Sequence, residues 1–191
     1  MKNLNNEKIL AISLIAIAII FRMFPMIPNF QPIMGIALFA GYIFSNNSKF
    51  AFFIPLVAMI ISDIFLEIFS SSLFGYHIGF HSTILFVYAA FLMITLQGKL
   101  FVKNNTILSV FANSLAGSIL FFIVTNFGSW VFGLSIENIP YEKSLAGLIY
   151  CYTAAIPFYK NTLVSSVIFS FALFGAFSLG EKFILKTSKI N

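Results

Sequence analysis

The stretch "FAFFIPLVAMIISDIFLEIFSSSLFGYHIGFH" (Phe50–His81) decides how the rest of the chain is read. It opens after Lys49 with an apolar run that meets no charge until Asp63. From Phe50 to about Phe69 it is long enough, at ~1.5 Å per helical residue, to cross a ~30 Å hydrocarbon core. Its last third then gathers Asp63 and Glu67 at i, i+4, followed by the chain's only two histidines, His77 and His81, also at i, i+4. A membrane span that ends in a knot of ionisable groups predicts a helical bundle with a polar site at one end.

The composition fits that frame. Of the 191 residues, 60% are hydrophobic and only 9% are charged, against ~45–50% and ~25% in soluble domains. A soluble domain of this size has no interior large enough to hide so much apolar surface. The net charge of +5 does not point to nucleic acid, because the lysines and Arg22 sit singly at the ends of apolar runs, as topology signals do. A single cysteine, Cys151, excludes an internal disulfide framework. The N-terminal apolar run is followed by Arg22-Met23-Phe24-Pro25 rather than a small-residue cleavage site, and reads as a retained first span.

Six spans follow: about Ile9–Phe24, Pro32–Phe44, Phe50–Phe69, His81–Leu96, Thr106–Phe127 and Leu163–Phe183. The second and fourth are short for a full crossing. Ser144–Phe158, closed by Pro157, reads as a re-entrant or interfacial helix between the fifth and sixth spans, with a seventh span as the alternative. The expected fold is therefore an all-α polytopic membrane bundle forming one domain over residues 1–191. With six spans, one side carries Lys2, Lys8, Lys49, Lys99, Lys103, Lys182, Lys186 and Lys189, and the other Arg22, Lys143 and Lys160. The positive-inside rule then places both termini in the cytoplasm.

In that topology Asp63, Glu67, His77 and His81 meet at the outer leaflet, together with Asn29 and Gln31 of the first outer loop and Asn126 and Trp130 at the end of the fifth span. An ionisable group inside a span costs ~2.5–3.5 kcal/mol on insertion scales, so Asp63 faces the bundle interior and has a partner or a ligand. A strut to Arg22 and a ligand contact are both open. Asp63, Glu67, His77 and His81 also form a donor set suited to a divalent transition metal, a less favoured reading since the glycine-flanked His77 segment need not be helical. Small-residue seams at Ala37/Gly41, Ala112/Ala116, Asn113/Gly117 and Ala172/Ala176 are expected to pack the bundle. Asn113 is expected to make an interhelical hydrogen bond. No catalytic triad, HExxH or phosphate-binding glycine loop occurs, so neither an enzyme nor a nucleotide-driven activity is expected, and no cofactor is implied.

Four stretches carry a resemblance: "PNFQPIMGIALFAGYIF" (Pro28–Phe44), "IPLVAMIISDIFL" (Ile54–Leu66), "SLAGSILFFIVTNFGSWVFG" (Ser114–Gly133) and "YEKSLAGLIYCYTAAIPFYKNTL" (Tyr141–Leu163). They resemble an uncharacterised bacterial family of small membrane proteins described as candidate transport proteins, over about Pro28–Phe177. That family is in turn distantly similar to the substrate-binding components of energy-coupling-factor transporters. The resemblance implies a protein of the bacterial inner membrane with six spans. It would take up a small metabolite of vitamin or precursor type from the outer face, with a transmembrane coupling subunit and ATPases as partners. Those components often carry an Ala-x-x-x-Ala docking seam on the first helix. Here Ala11, Ala16 and Ala18 fall off that spacing.

The expected function is thus substrate capture, with Asp63, His81, Asn126 and Trp130 contacting a small molecule and Asn29 and Gln31 on a gating loop. A structural or assembly protein of the envelope, and a metal-dependent intramembrane enzyme, are the alternatives.

Overall fold

The computed structural model describes the backbone of residues 2–25 and 27–188, and side chains within 6–25 and 27–183. These residues form six helices: α1 (Lys2–Arg22), α2 (Ile33–Ile43), α3 (Ser48–Phe74), α4 (Ile84–Phe101), α5 (Ile107–Phe132) and α6 (Leu145–Ser188). Their ends follow local chemistry. The Asn47 side chain accepts the Phe50 N–H and so caps α3, and the Thr106 hydroxyl caps α5 by accepting the Ser109 N–H. Helix α3 stops at Gly75, whose φ of 78° suits a residue without Cβ. No strand forms among the described residues beyond one isolated bridge, Leu134 to Pro140.

Four helices, α3 to α6, are long and apolar enough to cross a membrane, and the architecture is that of a multi-pass membrane protein. Isoleucine, leucine and phenylalanine side chains stand exposed along them, at Phe53, Ile61, Leu85, Ile119 and Ile168 for example. Water would make such faces aggregate; lipid makes them ordinary.

Helix α2 is different. Its eleven residues reach only ~16 Å, about half of the hydrocarbon thickness. Nine of them are buried, on every side of the helix, as expected for a helix enclosed by protein. It contacts each of the other five helices and forms the centre of the bundle. The expected second span, Pro32–Phe44, is therefore corrected to a short central helix that sees little lipid.

Its closest neighbour is α4, and glycine permits the approach. A Cβ on Gly41 would lie 2.0 Å from the Thr95 carbonyl oxygen, and one on Gly98 would lie 2.2 Å from the Leu38 carbonyl oxygen. At each contact a glycine on one helix lets the backbone of the other approach. The Ala37/Gly41 seam thus packs α2 on its neighbours, both residues being buried.

Two other seams do not pack. Ala112, Ala116 and Ala172 are exposed, while the buried small residues beside them are Ser114, Gly117 and Ser118 on α5 and Ser165, Ser166 and Ser170 on α6. Serine is as small as the contact requires, and most of these hydroxyls find a carbonyl, Ser166 donating to that of Ser114 at 2.9 Å across the α5–α6 contact, while the Ser170 hydroxyl has no partner among the described residues. Asn113 takes the expected interhelical bond, accepting from the Gln97 amide of α4 through its side-chain oxygen at 3.2 Å and its carbonyl at 2.8 Å.

The segment Ser144–Phe158 is neither a separate re-entrant helix nor a seventh span. It is the first part of α6, which runs unbroken through Pro157 for 44 residues. Proline removes one backbone donor and crowds the carbonyl four residues earlier, here Thr153. A helix embedded in a bundle tolerates that cost where neighbours hold it on both sides of the proline. Before it, Tyr152 donates to the Ile123 carbonyl; after it, Tyr159 meets the Ser118 hydroxyl at 3.1 Å.

Candidate functional site

A cavity of about 380 Å³ opens among the C-terminal parts of α1, α3 and α5 and the N-terminal parts of α2, α4 and α6. All six helices therefore converge on it, as successive antiparallel helices must if one end of the bundle is to be hollow. The lysine-rich segments lie at the opposite end, with Lys49 opening α3 and Lys99 closing α4. Lys189 lies outside the described residues, as do the side chains of Lys2 and Lys186.

Of the residues singled out from sequence, Asp63, His81, Asn126, Asn29 and Gln31 all line this cavity. Trp130 does not. Its indole N–H donates to the Glu142 carbonyl at 2.9 Å, and the Lys143 ammonium lies 5.5 Å from the ring centroid while bonding the Trp130 carbonyl. The tryptophan is committed to pinning the loop after α5, and the aromatic walls of the cavity are instead Phe121, Phe122, Phe158 and Tyr159.

Asp63 is buried and fully engaged. One carboxylate oxygen pairs with the Arg22 guanidinium, and the other accepts the Tyr88 hydroxyl at 2.5 Å. Arg22, also buried, donates in addition to the Ser62 hydroxyl at 2.5 Å, which itself donates a hydrogen bond to the Met59 carbonyl at 2.7 Å. The strut between the first and third helices therefore exists, and it forms one wall of the cavity. Hydrogen bonds to both charges are what make a buried ion pair tolerable, although the Arg22 Nε–H has no acceptor among the described residues. Tyr88 was not singled out from sequence. Its signal was there: it is the one polar side chain in the opening turns of α4, "ILFVYAAF", and a hydroxyl in that setting seeks an interhelical partner.

The histidine–carboxylate quartet divides in two. Glu67 accepts the Phe80 N–H at 2.7 Å and meets the His77 ring nitrogen at 3.1 Å. Ser70 one turn on exchanges two bonds with the backbone of Ile78. These contacts hold the loop between α3 and α4 down on α3, where Gly79 leaves no room for a Cβ beside the Glu67 carboxylate. No group of three potential metal ligands forms among the described residues, and the metal set of Asp63, Glu67, His77 and His81 is not assembled.

His81 stands on the cavity rim, its Nδ1 2.9 Å from the Thr83 hydroxyl. Crowding against the cavity wall pushes its imidazole below the ordinary value; Asp63 opposes that shift and Arg22 reinforces it. The folded state thus disfavours the proton, and the unfolded chain binds it more readily. Stability should fall as the pH drops below the ordinary histidine value of ~6.5. Thermal melting between pH 7.5 and 5.5 should show this decline, and His81→Asn should flatten part of it.

The first loop is fastened too. The Asn161 amide on α6 donates to the Pro28 carbonyl at 3.0 Å, and the Phe30 ring lies 5.5 Å from that of Phe169. Asn29 adopts a left-handed backbone, φ 58°, which asparagine tolerates better than most residues. Its side chain and that of Gln31 make no hydrogen bond within the described residues, and both line the cavity.

The family comparison gives a match over nearly the entire chain, residues 2–187, to a family described as a family of unknown function, DUF6580. The chain belongs to this family. No curated protein and no solved structure matched it significantly. Membership leaves the chemistry of the cavity as the guide to function.

Proposed function

We propose that this protein is the substrate-binding component of a membrane uptake system, taking a small metabolite into the cavity from the outer face. The observation that carries this reading is the cavity itself: about 380 Å³, within the ~300–1,000 Å³ usual for small-molecule sites, lined by aromatic walls and by amides with unspent hydrogen-bonding capacity. It opens at the end of the bundle poorer in lysine, which the positive-inside rule assigns to the outside, with both termini in the cytoplasm of a bacterial inner membrane. The sequence offers no nucleotide-binding motif, so energy would come from partners, in the manner of a coupling subunit and ATPases. The resemblance to energy-coupling-factor binding components supports the same arrangement.

The buried Arg22–Asp63 strut favours a second reading, a structural or assembly protein whose polar end only fixes helix positions. A thermal-shift screen of the detergent-purified protein against vitamins, their precursors, nucleobases and divalent metals separates the two. Ligand at ~100 times Kd adds ~2.7 kcal/mol to stability. A hit weakened by Asn126→Leu supports capture. No hit, with Asp63→Asn strongly destabilising, supports the scaffold.

A further inference from the structure

The charges around the cavity cancel, and this bears on what it holds. Arg22 and Asp63 are the ionised residues in its lining and they neutralise each other, with both Asp63 oxygens already occupied. What the walls still offer is uncharged hydrogen bonding. Among the described residues, Gln31 and Asn29 have whole amides without partners. Asn126 spends its N–H on the Phe122 carbonyl at 2.8 Å and keeps its oxygen.

We propose, resting on the capture reading above, that the ligand is an uncharged, flat heteroaromatic molecule with a carbonyl or ring-nitrogen acceptor and a ring N–H on its edge. The acceptor takes an amide N–H of Gln31 and the ring N–H goes to the Asn126 oxygen. The flat body lies among Phe121, Phe122 and Tyr159. A charged ligand meets no compensating charge there, since engaging Arg22 or Asp63 means breaking a buried pair, and desolvating an unpaired ion is far more costly than desolvating an amide.

Matched probes test this. Uracil against orotate, and pterin against pterin-6-carboxylate, share a ring and differ by one carboxylate; cytosine against 5-aminomethylcytosine supplies a cationic counterpart. Binding to the purified full chain is measured by thermal shift and titration. The expected result is that an uncharged member binds and its charged counterpart binds at least about tenfold more weakly. Gln31→Leu, which removes that amide, should weaken the uncharged probe roughly tenfold, the worth of one well-made hydrogen bond. Should that variant fail to fold, Asn126→Leu carries the same expectation. Preferential binding of the charged members overturns the ligand class and leaves capture standing. Silence from every probe also overturns the class, and capture falls with it only if the broader screen is silent too.

Discussion

Asp63→Asn should destabilise the protein by about 3–5 kcal/mol, the usual consequence of removing one partner from a buried ion pair. The reason is less the lost attraction than the stranded charge. Arg22 is buried at the end of α1, and without the carboxylate its guanidinium keeps only the neutral Ser62 hydroxyl and an amide. Arg22→Met should cost a similar amount by stranding Asp63, which would retain only Tyr88. The double variant, Arg22→Met with Asp63→Leu, should recover most of the loss, because well-packed apolar side chains often replace a buried pair without penalty. Equilibrium unfolding of wild type, Arg22→Met, Asp63→Leu and the double variant in one detergent gives the coupling directly. Additive losses in the double variant would show that the two residues do not act as a pair.

Gly41→Val should lower stability by about 3 kcal/mol, the upper part of the range for overpacking. The branched side chain would enter at 2.0 Å from the Thr95 carbonyl oxygen, and that neighbour is backbone, which cannot rotate away. The α2–α4 contact would have to open, and α2 touches every other helix, so the disturbance would spread through the bundle. Gly175→Ala is the control. Nothing lies within 4 Å of a Cβ there, so alanine in mid-helix should be neutral or gain about 0.5–1 kcal/mol. A Gly41→Val protein that melts like the wild type would mean that the two helices are not in backbone contact.

Both expectations depend on features that the sequence showed unevenly. Apolar runs revealed the helices of the bundle, because lipid-facing positions must be apolar wherever they fall. Five of the six expected ligand-contacting residues line one cavity for a related reason: polar groups near span ends converge once helices alternate in direction. Trp130 fell outside it because an indole N–H can be satisfied locally, and the loop after α5 offers the Glu142 carbonyl.

The nature of α2 was hidden by its composition. "IMGIALFAGYI" is equally apolar whether it faces lipid or protein, and its length and all-round burial distinguish the two only once its neighbours are placed. Pro157 misled in the opposite direction, reading as a boundary because proline usually ends helices in water. Within a packed bundle the contacts of Tyr152 and Tyr159 hold both sides of it in one helix. The division of labour in the histidine–carboxylate cluster was also illegible. Spacing of i, i+4 places Asp63 and Glu67 on one face, but only the path of the following loop sends His77 to Glu67 and His81 to the cavity rim.

The central claim is that the cavity is open to the outside and holds a small molecule. Its most direct test is to label Gln31→Cys, with the buried Cys151 changed to Ser, in intact cells with a membrane-impermeant maleimide, using Lys103→Cys as the opposite-end reference. The account predicts that position 31 reacts in intact cells and position 103 only after the membrane is opened, and that a ligand found by thermal shift slows labelling at 31 alone. Labelling of 103 in intact cells with 31 silent, or labelling at 31 that every bound ligand leaves unchanged, would contradict it.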